Sequence, residues 1–304
     1  MVRKESLLIT CNIGFIFIRM KFLLQQIRKM HVKPIKMRWL TGGVNYSYLL
    51  SAENRKNAWL IDPAEPLEVS SDLSVEEKRS IDAIVNTHHH YDHSAGNLAL
   101  HSLLCQENTH REVKIIGGSK ASPGVTEIPE HLQQYLLGNL KITCIRTPCH
   151  TKDSICYHVR DLETSEQCIF TGDTLFNAGC GRFFEGTGED MDIALNRTIL
   201  RIVGEPNWRE VKVYPGHEYT KGNAKFIRAK IYHARGENKQ FDVLEQYCQS
   251  NQCTSGHFTL GDELEYNPFM RLDDPAIRAA VGDTARVYPR AKVVQELRKL
   301  KNAM

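Results

Sequence analysis

The chain has 304 residues, 41% of them hydrophobic and 25% charged, which suits a soluble globular protein of one large domain plus a smaller one. Its nine cysteines include no Cys-x-x-Cys pair, which argues for reduced thiols in an intracellular protein and against a disulfide framework. The formal net charge is +3, but residues 1–30 alone carry +5, so the remainder is slightly acidic and bulk charge excludes nucleic-acid binding.

The first 30 residues read as a leader. The apolar stretch Leu7 to Ile18 is too short for an ordinary transmembrane helix, and Arg19-Met20-Lys21-Phe22 is no secretory cleavage site. From Met20 onward, Leu23, Ile27 and Met30 share one helical face, with Lys21, Arg28 and Lys29 supplying charge. That pattern predicts a mitochondrial presequence and a matrix protein without stable membrane insertion. A start at Met30 would leave a cytoplasmic form.

A main domain is expected over 31–217. Val44 to Leu50, Ala58 to Ile61 and Ile81 to Val85 read as strands, the second closing on Asp62-Pro63. Residues 76–80 are polar, and Asn97 to Leu104 reads as a helix. Strands Ile142 to Thr147, Ile169 to Gly172 and Val211 to Tyr214 follow, giving an α/β pattern. Over 218–304, Ala224 to Tyr232, Asp242 to Gln249, Pro275 to Ala280 and Ala291 to Lys301 read as helices, a smaller helical domain.

Each later strand of the main domain runs into metal-ligand chemistry. Ile81 to Thr87 leads into His88-His89-His90-Tyr91-Asp92-His93, and the others into His150, Asp173 and His217. Pro or Gly sits just before three of these ligands and ends the ladder there. Imidazole and carboxylate suit borderline divalent ions such as zinc, with iron and manganese also compatible. Four ligand-type side chains in six residues are too many for one ion, so the spacing favours two. His88, His90 and His150 would hold the first and Asp92, His93 and His217 the second. Asp173 would bridge them, because a carboxylate has two oxygens to share. His89 should point away. Such a pair would lower the pKa of a shared water towards neutrality and polarise a carbonyl. Cys149 and Cys180 read as buried small apolar residues, not nucleophiles.

The motif Thr-His-x-His-x-Asp-His resembles that of the metallo-β-lactamase superfamily. More specific are Thr147-Pro148-Cys149-His150-Thr151, Phe170 to Phe176, Gly179 to Thr187, Gly216-His217-Glu218-Tyr219-Thr220 and Tyr266-Asn267-Pro268-Phe269-Met270-Arg271. Together, over about residues 31–304, they resemble the glyoxalase II (hydroxyacylglutathione hydrolase) family, most of all its fungal mitochondrial members. The resemblance implies an αββα sandwich of two mixed sheets with a C-terminal helical domain. It implies hydrolysis of S-D-lactoylglutathione and related 2-hydroxyacylglutathione thioesters to the hydroxy acid and glutathione, the second step of methylglyoxal detoxification. It further implies a monomer whose partner is a small-molecule thioester. Asp92 and Asp173 would act in catalysis, Asp62 would support a ligand, and Arg182, Phe184, Tyr219 and Arg271 would contact glutathione. The animal enzymes have Lys and Tyr where this chain has Arg182 and Phe184, and Leu272-Asp273-Asp274 replaces an expected basic residue. A one-iron persulfide dioxygenase of the same superfamily is the nearest rival, but the Asp92-His93-His217 set and the Asn267 to Arg271 tail favour the thioesterase. A superfamily nuclease would need a basic surface, and a non-enzymatic metal-binding protein would tolerate broken ligand sets.

Overall fold

A computed structural model describes residues 30–38, 42–53, 55–107 and 112–304. The expected leader, apart from Met30, lies outside these residues. Strands β1 (His31–Met37), β2 (Asn45–Ser51) and β3 (Ala58–Ile61) form an antiparallel run. Two short helices, α1 (Pro66–Asp72) and α2 (Val75–Ser80), carry the chain to β4 (Ile81–Val85), which lies parallel to β3. The polar residues 76–80 therefore form a helix. Its start is set by a capping box, in which Ser74 Oγ accepts from Glu77 N at 3.1 Å and Glu77 Oε2 accepts from Ser74 N at 2.8 Å. One turn, α3 (Tyr91–Ser94), and the helix α4 (Asn97–Glu107) precede β5 (Lys114–Ile116), which completes the first sheet in the order β1-β2-β3-β4-β5.

The second sheet is β12-β9-β8-β7-β6. It comprises β6 (Gln134–Leu137), β7 (Leu140–Arg146), β8 (Ile155–Asp161), β9 (Gln167–Gly172) and β12 (Lys212–Pro215). Between β9 and β12 lie the hairpin β10 (Leu175–Phe176) and β11 (Gly179–Cys180), then α5 (Gly188–Asp192), which continues through a π-helical stretch, Ile193–Ile199, into α6 (Leu200–Val203). The remaining helices are α7 (Thr220–Lys230), α8 (Lys239–Ser250), α9 (Leu260–Tyr266), α10 (Pro275–Ala280) and α11 (Arg290–Asn302).

Alternation along the strands sorts the core into layers. Tyr46, Tyr48 and Leu50 of β2, with Ala83 and Val85 of β4, face Ile142, Cys144, Tyr157, Val159 and Phe170 of the other sheet. The intervening Leu49, Leu60, Ile84 and Ile115 pack outward on Val69 of α1 and on Leu100 and Leu104 of α4. Ile145, Cys156, Ile169 and Val213, on the outer face of the second sheet, share one core with Leu195, Phe226, Leu244, Phe269, Val293 and Leu297. Each such Val, Leu, Ile or Phe side chain, taken from water, contributes about 1.5–3 kcal/mol. The result is two sheets sandwiched between helices, as the sequence implies, with the C-terminal helices forming one outer layer.

A buried carboxylate ties that layer to the β10–β11 hairpin. Glu263 accepts hydrogen bonds from Ala178 N, Tyr266 Oη and Asn267 Nδ2, each at 2.8 Å. Asn267 Nδ2 also donates to Gly179 O at 3.1 Å. The Tyr266-Asn267 motif is thus a clamp on the hairpin that follows Asp173.

Candidate active site

The ligands stand where strands stop. Strands β7, β9 and β12 run in the same direction, so His150, Asp173 and His217 emerge at one edge of the second sheet. β4 delivers His88 and His90 to the same place, and α3 adds Asp92 and His93. Backbone bonds stitch the sheets together there: Ile155 N donates to Thr87 O at 2.8 Å and Tyr46 N to Gly216 O at 2.9 Å. Gly216 is required at this crossing, because a Cβ would come within 2.6 Å of both Asp173 Oδ1 and His93 Cε1.

Two sets of ligand atoms converge. His88 Nε2 and His150 Nε2 each lie 3.0 Å from His90 Nδ1. In the other set, His217 Nε2 lies 3.2 Å from His93 Nε2 and 3.4 Å from Asp92 Oδ2. Asp173 stands between the sets. Its carboxylate is 3.5 Å from His150 Nε2 and 3.3 Å from both His93 Nε2 and His217 Nε2. Two ligands of one tetrahedral ion, each about 2.0–2.1 Å from it, lie about 3.3 Å apart, so these spacings fit coordination.

For His88, His93 and His150 the outer hydrogen bonds select the neutral tautomer whose lone pair points into the cluster. His150 Nδ1 donates to Arg182 O at 2.9 Å, which leaves Nε2 bare. His93 Nδ1 donates to Asp62 Oδ2 at 3.0 Å, so the neutral form of this ring presents a bare Nε2 to the cluster. Thr87 Oγ1 gives its own proton to Asp62 Oδ2 at 2.7 Å, so at 3.1 Å it accepts from His88 Nδ1. Asp173 Oδ1 is buried with no hydrogen-bond partner. Lone pairs and a carboxylate facing one another call for a cation, and this donor set fits divalent metal ions.

The electrostatics agree. Burial holds His88, His90 and His150 below the usual imidazole range, so they are neutral ligands. Burial would also raise the Asp173 carboxyl, but His217 and His93 override it and hold it well below the usual range. Burial would likewise lower His93, yet Asp173 and Asp62 raise it well above its ordinary value, so the space between them favours positive charge. His89 turns away, with its Nδ1 2.8 Å from Asp153 Oδ1.

A cavity of about 840 Å³ opens onto the cluster. His90, Asp92, His150, Asp173 and His217 line it together with Arg182, Phe184 and Tyr219. Phe184 meets the rings of His90 and His150 edge-on at 5.6 and 5.2 Å, and Tyr219 stacks on His217 at 4.6 Å. Cys180 also lines it, but burial pushes its thiol up to about 12, and burial raises that of Cys149 too. Arg271 is not brought to this cavity. Its guanidinium donates to Leu264 O and Asp274 Oδ2, each at 3.0 Å. Two cations the sequence reading missed, Arg298 and Lys301 of α11, do line the wall. Arg298 Nη1 donates to Cys180 O at 3.0 Å while its buried Nε has no partner. Lys301 Nζ donates to Gly222 O at 2.8 Å. Their signal was an Arg-x-x-Lys spacing on one face of a helix, which reads as solvated charge until the packing is known.

Known proteins match on both parts of the chain. The family model for the hydroxyacylglutathione hydrolase C-terminus matches residues 218–304, and that for the metallo-β-lactamase superfamily matches 40–104. The mitochondrial hydroxyacylglutathione hydrolase of Saccharomyces cerevisiae is 79% identical over 285 residues, 94% of this chain and 100% of the relative. The cytoplasmic isozyme of the same yeast is 60% identical, over 90% of this chain and 100% of its own. Among solved structures, ETHE1 from Myxococcus xanthus superposes with a TM-score of 0.55 at 20% identity, covering 90% of this chain and all of that one, which shows the shared fold. The chain therefore belongs to the hydroxyacylglutathione hydrolase family, on a metallo-β-lactamase fold.

Proposed function

We propose that this hydrolase of hydroxyacylglutathione thioesters holds two divalent ions and acts on S-D-lactoylglutathione, releasing D-lactate and glutathione. The observation that carries the reading is one cavity lined by five of the seven converging ligands and by three cations, Arg182, Arg298 and Lys301. His88, His90 and His150 hold one ion, Asp92, His93 and His217 the other, and Asp173 both. Zinc suits this donor set, with iron or manganese as alternatives that elemental analysis separates. When bound, such ions lower the pKa of a water and polarise the thioester carbonyl.

The chain's own residues do the rest. Asp92, open to the cavity, accepts a hydrogen bond from the attacking water and aligns it. Phe184 and Tyr219 cover the ligand rings and exclude bulk solvent from one side. Glutathione carries two carboxylates, and the three cations supply charge-assisted bonds for them. The leaving group is a thiolate, much less basic than an alkoxide, so no dedicated general acid is needed. Mixing the metal-loaded protein with S-D-lactoylglutathione and following the thioester absorbance tests the reading. No loss of absorbance above the spontaneous rate would overturn it.

Arg298→Ala should raise KM about 10- to 150-fold with a smaller change in kcat, because a pair worth about 1.5–3 kcal/mol acts equally on ground and transition states. Burial and the neighbouring Arg298 guanidinium lower the Lys301 ammonium to about 8. Its charge, and the grip it gives, is therefore complete below that pH and lost above it. KM should climb as pH rises through about 8, and Lys301→Arg, charged throughout, should flatten that limb. Arg271→Ala, by contrast, should leave KM nearly unchanged and cost roughly 1 kcal/mol of stability, since its partners are Leu264 and Asp274. A KM shift as large as that of Arg298→Ala would return Arg271 to the substrate.

We also infer a mitochondrial location, supported by the basic leader and by the mitochondrial relative. Residues 1–36 fused to a fluorescent reporter should direct it to mitochondria. A diffuse signal from fusions starting at both Met1 and Met20 would exclude this.

A further inference from the structure

Asn45, the first residue of β2, is fully buried and touches both halves of the second ligand set. Its backbone forms an antiparallel bridge with His217, flanked by Tyr46 N donating to Gly216 O at 2.9 Å and Glu218 N to Val44 O at 2.7 Å. Its side-chain Nδ2 donates to Asp92 O at 2.8 Å and to Asp92 Oδ2 at 3.2 Å. Both Asp92 atoms are acceptors only, so the amide must present its NH₂ to them. Asp92 needs such a hold. Its side chain is 32% exposed, against 9% or less for His93, Asp173 and His217. It also stands on a helix of only four residues.

We propose that Asn45 is a positioning residue that fixes the Asp92 carboxylate, and with it the second ion, by one amide reaching the ligand's backbone and side chain together. The proposal rests on the two-ion reading above. One strand end thus sets two of the three ligands peculiar to that ion: His217 through the main chain and Asp92 through the amide. Two histidines of the first ion, His88 and His150, donate their outer hydrogen bonds elsewhere, to Thr87 Oγ1 and Arg182 O. Asn45 should therefore separate the two sites energetically, as partners lying outside a ligand do when they alter affinity about 10- to 100-fold.

The test is a titration of Zn²⁺ into metal-free protein against a chelator, with wild type, Asn45→Ala, Asn45→Asp, Asp92→Ala and the Asn45→Ala/Asp92→Ala double variant. Asn45→Ala is expected to weaken the second ion about 10- to 100-fold and leave the first unchanged. Asn45→Asp keeps the volume but turns oxygens towards Asp92, and should weaken the second ion at least as much. In the Asp92→Ala background, Asn45→Ala should add nothing, because the residue acts through Asp92. With both ions saturated, kcat should fall while KM holds. Equal weakening of both ions would overturn the proposal, as would the same loss with and without Asp92. So would unfolding of both Asn45→Ala and Asn45→Asp under conditions where metal-free wild type stays folded, since that makes Asn45 a purely structural residue. Binding of a single ion by wild type would instead refute the two-ion reading, and that result is visible before any variant is compared.

Discussion

Asp173→Ala is expected to strip both ions and cut thioesterase activity by on the order of 10³-fold or more. The carboxylate sits 3.3–3.5 Å from ligand nitrogens of both sets, and its Oδ1 has no other partner. Its removal would take one ligand from each proposed ion and leave the five imidazoles with Asp92, at the edge of one set, as the one remaining carboxylate of the seven ligands. His217→Ala touches one set alone. It should bring the metal-to-protein ratio towards one, with a folded protein and weak hydrolysis remaining. His89→Ala should do far less than either, because His89 pairs with Asp153 outside the cluster. Elemental analysis and initial rates on the three variants decide the matter. Equal metal loss from His89→Ala and Asp173→Ala would mean that the first cluster is assigned to the wrong sides.

Asp62 carries the second large expectation. It is 1% exposed, holds a positive φ of 50°, and accepts from Thr87 N and Thr87 Oγ1 at 2.7 Å and from His93 Nδ1 at 3.0 Å. Asp62→Ala leaves a buried backbone N–H and a buried ring N–H without acceptors. A loss of about 3–5 kcal/mol in stability follows, together with the second ion. Asp62→Asn is the sharper probe. Asparagine tolerates the left-handed backbone and can still accept from Thr87 N. Its NH₂, however, turned towards His93, forces that proton onto Nε2, where a metal would bind. Asp62→Asn should therefore melt within a few degrees of wild type yet hold the second ion about 10- to 100-fold more weakly. Equal metal affinity with a large fall in melting temperature would make Asp62 a fold residue only.

Much of this site was legible in the sequence, because strand ends announce themselves locally. The apolar runs ending in His88, His150, Asp173 and His217 could be found without knowing the sheet order, and the structure brings all seven ligands together. What stayed hidden depends on long-range packing. Arg298 and Lys301 lie far along the chain from every ligand, on a helix whose Val293, Val294 and Leu297 were the readable face. Only the docking of α11 against the Cys180 loop turns the other face into a wall of the cavity. Arg271 lies off the cavity wall for a local reason: Asp274, three residues on, is a partner within its reach. The short helices α2, α5 and α9 were missed although each opens with a capping box, at Ser74, Thr187 and Thr259. The signal was there, but the apolar periodicity of five to seven residues is too short to read.

The core shared by the outer face of the second sheet and the C-terminal helices has a dynamic consequence. Ile169 of β9 and Val213 of β12 belong to one continuous apolar core with Val293, Val294 and Leu297 of α11. Helix and strands cannot open separately without exposing that apolar surface to water. Backbone amides of β9, β12 and α11 should therefore exchange with deuterium at one common slow rate, set by cooperative opening of the whole layer. The cavity wall formed by Arg298 and Lys301 should then have the rigidity of the protein's interior.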